Sequence, residues 1–221
     1  MIEGIFLARK NRRLAEVEVE GECWEAYVSN GAEMDFLKRG SVCYLQEIDN
    51  PNRKTAFNLF SVYDQDTLVC VDAKAPLYTA GDWYIKRLQK ELNTTEKVAY
   101  LDYPTSLHLE MFVGRELSTT IQVMGTSLVK DRRAYLPEMR SSALNKRLEN
   151  LRWRKNRGQE VRLLFATCRN DVESFFVNEK ADTEFADLLK FLQVEDIPIE
   201  CLRCLTDEEG LKADQLIPVE I

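Results

Sequence analysis

At 221 residues the chain is long enough for one large or two small domains, and its 45% hydrophobic and 30% charged residues are ordinary for a folded protein. No apolar run approaches the roughly 18 residues of a membrane span. The apolar start Met1–Leu7 is short and precedes a basic cluster, which reverses the charge order of a signal peptide. These features argue against a membrane or secreted protein and predict a cytoplasmic location.

Six scattered cysteines and a single histidine give few ligands for a metal centre. The pair Cys201 and Cys204 forms one CxxC motif without a second half, whereas a structural zinc site needs four ligands. Buried, reduced thiols are the favoured interpretation. We therefore predict neither a metal nor an organic cofactor.

The net charge of −7 disfavours nucleic-acid binding, but the charge is unevenly distributed. Residues 130–162 contain eleven Lys or Arg against four Asp or Glu, whereas residues 163–221 contain five against fourteen. Such a chain can present one basic face to phosphates despite an acidic total. The alternative, a solvated basic helix balanced by acidic neighbours, stays open.

The first 72 residues contain short strand-like segments separated by turn signals. In the first of them Ala15, Val17 and Val19 alternate with glutamates, the pattern of a half-buried strand. The others are Cys23–Val28, Ser41–Ile48, Ala56–Tyr63 and Thr67–Asp72. Five short strands predict a small barrel over residues 1–81, of the OB type. The period alone does not distinguish it from an SH3-like barrel.

The pattern then changes to alternating helices and strands. Helices are predicted over Gly81–Leu92, with Asp82 as N-cap, over Ser142–Asn156, which Gly158 ends, and over Thr183–Gln193. The predicted strands are Leu107–Val113, Leu117–Val123, Arg133–Leu136, Val161–Thr167, Ile199–Leu205 and Leu216–Ile221. Residues 82–221 thus form a predicted mixed α/β domain, and the fold class is α+β with two domains.

Two of these strands have the layout of a PD-(D/E)xK nuclease site. Such a site needs an acid on the first strand, and an acid and a lysine two residues apart on the second, to hold Mg²⁺ and activate water. The first strand carries Glu110, but the pair on the second is Gln122 and Met124. Neither amide nor thioether supplies the missing charge or proton. We expect a degenerate, inactive site.

The order of several motifs resembles the sugar fermentation stimulation protein family over nearly the whole chain. The motifs are Phe6-Leu-Ala-Arg9 with Asn11-Arg12-Arg13-Leu14-Ala15, Ser29-Asn30-Gly31-Ala32-Glu33-Met34, Asp49-Asn50-Pro51 with Arg53-Lys54, and Ile217-Pro-Val-Glu-Ile221. The resemblance implies an N-terminal OB-type barrel, a C-terminal restriction-endonuclease-like domain, sequence-independent DNA binding and a regulatory link to sugar use.

Departures from the family pattern fall on its nuclease motifs. Where members carry Glu-Val-Lys, this chain has Gln122-Val-Met124, and Arg-Ile-Asp-Phe is replaced by His108-Leu-Glu110-Met. Phe-Pro-Asp-Ala becomes Leu136-Pro-Glu138-Met, and the following Thr-Glu-Arg-Gly becomes Ser141-Ser142-Ala143-Leu144. Glu110 and Glu138 could hold a metal weakly; the favoured alternative pairs them with neighbours such as Arg115 or Arg140.

Phosphate contacts need only the reach of Lys and Arg, so binding can survive the loss of catalysis. Trp153 lies inside a basic helix, where it either stacks on an unpaired base or, more commonly, packs against the core. The candidate nucleic-acid-binding residues are Arg9, Lys10, Arg12, Arg13, Arg53, Lys54, Lys146, Arg147, Arg154 and Lys155.

The leading hypothesis is sequence-independent DNA binding, with RNA as a second candidate and no membrane partner. The first alternative is a Mg²⁺-dependent nuclease that rebuilt its site from Glu110, Glu138 and a lysine such as Lys130. The second is a protein-interaction module, favoured by the acidic stretch of residues 163–221. A homodimer through an exposed edge strand is compatible with each of them.

Overall fold

A computed structural model describes residues 1–31, 34–50 and 52–221, so Ala32, Glu33 and Pro51 of the family-like motifs lie outside the described residues. The chain divides into two compact units. The barrel unit comprises Met1–Ala75, Cys168–Asp171 and Cys204–Lys212. The sheet unit comprises Pro76–Thr167, Val172–Arg203 and Ala213–Ile221.

Five strands of the barrel unit close into a ring. The strands of this unit are β1 (Ile2–Asn11), β2 (Leu14–Val19), β3 (Glu22–Tyr27), β4 (Val42–Glu47), β5 (Phe57–Asp64) and β6 (Thr67–Cys70). Antiparallel pairs join β3-β2-β1-β4-β5, and a parallel pairing of β3 with β5 closes the ring. β6 extends β5 as a hairpin. This closed five-stranded ring is the predicted OB-type barrel.

The barrel interior follows from the alternation in the sequence. Ala15 and Val17 on β2 are fully buried, as are Leu45 on β4 and Leu59 on β5, whereas the intervening glutamates of β2 are half-buried. The sequence analysis missed β1. Register shifts between Phe6 and Ala8, and again after Arg9, break its alternation, so a period of two is not visible there.

Three helices and two sheets lie wholly or mainly in the sheet unit. Its helices are α1 (Ala75–Glu91), α2 (Ser142–Lys155) and α3 (Thr183–Val194). Its strands are β7 (Val98–Tyr103), β8 (His108–Val113), β9 (Glu116–Thr126), β10 (Val129–Lys130), β11 (Arg133–Leu136), β12 (Val161–Thr167), β13 (Ser174–Val177), β14 (Ile199–Thr206), β15 (Leu211–Ile217) and β16 (Val219–Glu220). Ala75 of α1, the end of β14 and the start of β15 belong to the barrel unit. The larger sheet has the order β15-β14-β12-β9-β8-β7, and the smaller β10-β11-β13-β16.

One apolar core links the larger sheet to the helices α2 and α3. Leu148 and Leu151 of α2, Phe165 of β12 and Leu189 of α3 lie in it, each at most 2% exposed. The stripe of leucines predicted for α2 therefore faces the core, except that Leu144 is only partly buried. Both CxxC cysteines are buried, and neither forms a disulfide bond within the described residues, in agreement with the thiol interpretation.

Helix termini agree with the predictions at α2 and α3 but not at α1. Ser141 caps α2 by accepting a hydrogen bond from Leu144 N–H, and Gly158 follows the helix with φ of 78°. The N-cap assigned to Asp82 is wrong, because α1 begins at Ala75 and contains Asp82. The Asp72 carboxylate instead accepts from the Lys74 and Ala75 N–H groups, at 2.7 and 2.9 Å.

Some of the predicted strands of the sheet unit agree with the structure and others do not. The predicted strands beginning at 107, 117, 133, 161 and 199 correspond to β8, β9, β11, β12 and β14, whereas β7 and β13 were missed. The predicted strand Leu216–Ile221 is correct only in part, because its residues divide between the end of β15 and β16, on either side of Pro218. No helix in the described part of the chain is long and apolar enough to cross a membrane.

Candidate nucleic-acid interface and nuclease-like site

Strands β8 and β9 place the nuclease-like positions on one face of the larger sheet. Their antiparallel register pairs His108 with Gln122 and Glu110 with Thr120. Directly opposed residues project to the same face, as do residues two apart on one strand. The face therefore also includes Met124, and the structure brings three of the four predicted site positions together.

The Glu110 carboxylate is already neutralised within the protein. Arg154 of α2 donates from a guanidinium N–H to Glu110 Oε1 at 3.1 Å, and the Tyr103 hydroxyl donates to Oε2 at 3.0 Å. The side chains of Glu110 and Arg154 are each 18% exposed. The prediction that this acid pairs with a neighbour names the wrong partner, since Arg154 and not Arg115 contacts it.

The Gln122 side chain forms hydrogen bonds to the backbone of the loop before β8. Its amide N–H groups donate to the carbonyl oxygens of Ser106 at 3.0 Å and Leu107 at 2.8 Å. Leu107 adopts φ of 54°, which few non-glycine residues adopt. An amide can hold these two carbonyls, whereas a carboxylate, which only accepts, cannot. Gln122 thus stabilises the turn into β8.

Met124 supplies no oxygen ligand that a divalent cation could use beside Glu110, and Glu138 lies on a different segment of the chain. Met124 is 1% exposed and lies in the apolar core. Glu138 follows β11 and is half-buried, while Arg140, its suggested partner, pairs with Glu184 at 3.0 Å. Among the described residues, no group of three or more His, Cys, Asp or Glu side chains could hold a metal. The residues present do not fit a Mg²⁺ or Ca²⁺ site.

The single histidine lies beside this ion pair. His108 stacks on the Tyr103 ring with centroids 4.4 Å apart, and its Nδ1 lies 2.8 Å from the Ser106 hydroxyl. Burial, and secondarily the Arg154 charge 3.4 Å from Nε2, lower the pKa of His108, against a smaller opposing effect of Glu110. The imidazole is therefore neutral at pH 7.

His108 reports on the Glu110–Arg154 pair. We expect a single imidazole titration below the ordinary value of about 6.5, shifted upward in Arg154→Met and further downward in Glu110→Gln. Proton-detected NMR of the only histidine measures both. Because the pKa is depressed by folding, the stability that His108 contributes is present above about pH 6.5 and is lost as the pH falls through the folded-state pKa. Equal titration in all three proteins contradicts this electrostatic coupling.

The basic residues of α2 differ in how much of their charge is available. Lys146 is exposed and Lys155 half-buried, and within the described part of the chain neither forms a salt bridge. Burial lowers the pKa of Arg147. Trp153 is not packed in the core: it is 52% exposed, with the Arg157 guanidinium 4.2 Å from its ring centroid.

The first basic cluster of the barrel unit is largely engaged by the protein itself. Lys10 lies 2.9 Å from Glu25 and 3.6 Å from Glu16. Arg9 donates to the backbone carbonyls of Arg12 and Asn30, and Arg13 to that of Ser29. Arg9 and Arg13 thus hold neutral backbone carbonyls, whereas Lys10 is paired with carboxylates.

A cavity of about 610 Å³ on the barrel unit gathers cations from separate parts of the chain. We call it the barrel pocket. Arg13 reaches it from the β1–β2 turn, and Arg53 and Lys54 from the β4–β5 connection, with Lys74 beyond β6. Tyr27 at the end of β3 also lines it. These are the loops and the strand through which OB folds bind oligonucleotides and oligosaccharides.

Contacts inside the barrel pocket fix its wall but leave its charges available. Arg53 donates to Asn58 Oδ1 at 2.8 Å, and its guanidinium carbon lies 5.4 Å from the Tyr27 ring centroid. Within residues 1–31, 34–50 and 52–221, none of the four pocket cations forms a salt bridge. Arg13, Arg53 and Lys54 were predicted from the sequence, whereas Lys74 and Tyr27 were not, because nothing in their local sequence distinguishes them.

A five-stranded OB-type barrel followed by an α/β domain defines an α+β protein of two units. Its N-terminal part matches the SfsA N-terminal OB domain over residues 7–71. Residues 83–210 match the sugar fermentation stimulation protein RE domain. The chain belongs to the sugar fermentation stimulation protein family, as its motifs indicated.

Full-length relatives support this assignment. The sugar fermentation stimulation protein homologs of Ruminiclostridium cellulolyticum and Desulfitobacterium hafniense are 28% identical over 219 residues and 26% identical over 221. Each alignment covers 99% of this chain and 96% of the relative. The fold is similar to that of Pyrococcus furiosus SfsA, solved in complex with Ca²⁺, with a TM-score of 0.78 at 20% identity, over 100% of this chain and 96% of that one. The predicted α+β fold with an OB-type barrel is confirmed.

Proposed function

We propose that this protein binds DNA without sequence preference, through the barrel pocket and the exposed basic residues of α2, and that its nuclease-like site is inactive. The observation that carries the proposal is the set of four pocket cations without a carboxylate partner in the described part of the chain. A surface that neutralises phosphates in this way requires no base contacts and is therefore insensitive to sequence.

Chemical arguments support an inactive nuclease-like site. Hard divalent cations prefer several anionic oxygen ligands. Here Glu110 is paired with Arg154, Gln122 donates to backbone carbonyls and Met124 is buried. The P. furiosus relative was solved with Ca²⁺. In this chain the Glu110 charge is balanced by Arg154, and the Gln122 amide donates hydrogen bonds instead of offering an oxygen to a cation. A regulatory role in sugar use and a cytoplasmic location are further parts of the proposal, and both rest on the family resemblance.

The salt dependence of binding tests the proposal. Fluorescence anisotropy with a labelled duplex of about 20 base pairs measures the binding constant at several salt concentrations. The logarithm of the binding constant should fall linearly with the logarithm of the salt concentration, with a slope of about 0.9 per phosphate contact. We expect Lys54→Glu and Lys146→Glu each to weaken binding and to lower the slope by about one contact, because both side chains are exposed. Lys38→Glu, an exposed lysine of the barrel unit outside the pocket, is the matched control. Affinity that does not depend on salt contradicts the mechanism.

The same samples distinguish the alternatives. Mg²⁺- or Mn²⁺-dependent cleavage that disappears in Glu110→Ala would support a rebuilt nuclease using Glu110, Glu138 and Lys130. Absence of binding to any nucleic acid at low salt would support a protein-interaction module. Light scattering coupled to size exclusion determines whether the binding species is a homodimer.

A further inference from the structure

The barrel pocket is concave, and this shape selects among nucleic acids. Its volume of about 610 Å³ lies within the range of about 300–1,000 Å³ typical of small-ligand sites. A duplex keeps its bases stacked and presents only their edges in the grooves. A base can enter a concave site only after it leaves the stack, as single strands allow without cost from base pairing.

The wall of the barrel pocket offers a surface suited to a base. Tyr27 is half-buried at the end of β3, and its neighbour Arg53 contributes a planar guanidinium. Bases stack on aromatic rings and on arginine planes irrespective of their identity, because every base has a π-face. Asn58 fixes Arg53 through the 2.8 Å hydrogen bond, so this wall is organised before any ligand binds.

The positive charges around this wall could bind the phosphates on either side of one base. Arg13, Lys54 and Lys74 are exposed at the pocket margin. Among the described residues, the acid that lines the pocket is Asp72, and its Oδ1 accepts from the Lys74 and Ala75 N–H groups. Its charge is therefore partly satisfied by the backbone, and the cations dominate.

We propose that the barrel pocket holds one unstacked nucleotide of a single-stranded nucleic acid, with the base against Tyr27 and Arg53 and the flanking phosphates on Arg13, Lys54 and Lys74. This inference rests on the proposed nucleic-acid binding and adds to it a preference for single strands. DNA and RNA share the base and phosphate chemistry of this site, and separate arms of the test distinguish them.

Anisotropy with the full-length protein tests the inference. The probes are a labelled oligo-dT, a labelled oligo-rU and a mixed-sequence duplex of the same length. We expect at least one single strand to bind more tightly than the duplex. Tyr27→Leu should weaken that single strand about 5- to 150-fold, the equivalent of about 1–3 kcal/mol for one stacked base, and weaken the duplex by a smaller factor, because the stacked bases of a duplex do not reach the Tyr27 ring. Tyr27→Phe, which keeps the ring, should bind as the unmodified protein does.

Tyr63→Leu is the matched control, since Tyr63 lies on β5 of the same barrel and packs near Tyr44 instead of lining the pocket. Single-strand affinity that is unchanged in Tyr27→Leu, or an equal loss for duplex and single strand, overturns the inference while leaving DNA binding intact. No binding of any probe overturns both proposals. A larger loss for single strands than for the duplex in Tyr27→Leu, with Tyr63→Leu unaffected, supports the inference.

Discussion

Replacing Met124 with lysine, the residue that the family's nuclease motif has at this position, is expected to lower the free energy of unfolding by more than about 4 kcal/mol. The side chain is 1% exposed in the core that also contains Leu148 and Phe165, and none of these neighbours can accept a hydrogen bond. Urea unfolding followed by circular dichroism measures the loss. We therefore expect a lysine at this position to destabilise the protein and not to complete a metal site.

The pH dependence and a volume-conserving variant identify the cause of that loss. Burial lowers the pKa of a lysine, so the stability that the variant lacks should return as the pH rises toward the unfolded-state value of about 10.4. Met124→Leu keeps volume and polarity and should cost less than about 1.5 kcal/mol. A Met124→Lys protein as stable as the unmodified one would mean that position 124 still opens onto a solvated site.

The contrast between positions 122 and 124 shows what the sequence can predict about the nuclease-like site. Residue types alone indicated that Gln122 and Met124 cannot perform metal chemistry, since that inference needs only their functional groups. What replaced the chemistry depends on positions far along the chain. Gln122 holds the carbonyl of Leu107, and Arg154, 44 residues from Glu110, neutralises the acid.

Barrel strands and long helices were predictable because their periodicity is local. The alternation of β2 and the leucines of α2 appear within a few residues of sequence. The barrel pocket was only partly predictable, since clusters of Arg and Lys are visible in the sequence but their arrangement is not. Lys74 joins Arg13 and Tyr27 only after the ring has closed, through pairings between strands such as β3 and β5.

Helix α1 illustrates a competition between two local signals. Gly81 and Asp82 look like a helix start, yet Asp72 supplies the hydrogen bonds to the first turn and Pro76 suits that position. The glycine is required for another reason. A Cβ at Gly81 would come within 2.5 Å of the Tyr100 ring, so close packing and not helix initiation explains this residue.

Arg154→Met should lower the free energy of unfolding by about 2–4 kcal/mol, because it leaves the Glu110 carboxylate, 18% exposed, without its cation. The methionine keeps the apolar stem of the side chain, so packing along α2 is retained. Urea unfolding measures the loss. Duplex affinity should change little, since the Arg154 charge is already used within the protein.

A double variant, in which Glu110 is also replaced, separates the cost of an unpaired carboxylate from the loss of favourable contacts. In Glu110→Gln/Arg154→Met no charge is stranded, and the new amide at position 110 can still accept from the Tyr103 hydroxyl, so most of the stability should return. Glu110→Gln alone should cost less than Arg154→Met, because the Arg154 guanidinium also approaches Thr120 and Gln159 at 3.5 and 3.3 Å. Strictly additive losses would contradict the pairing. Recovery of stability in the double variant would show that Arg154 stabilises the fold by neutralising Glu110.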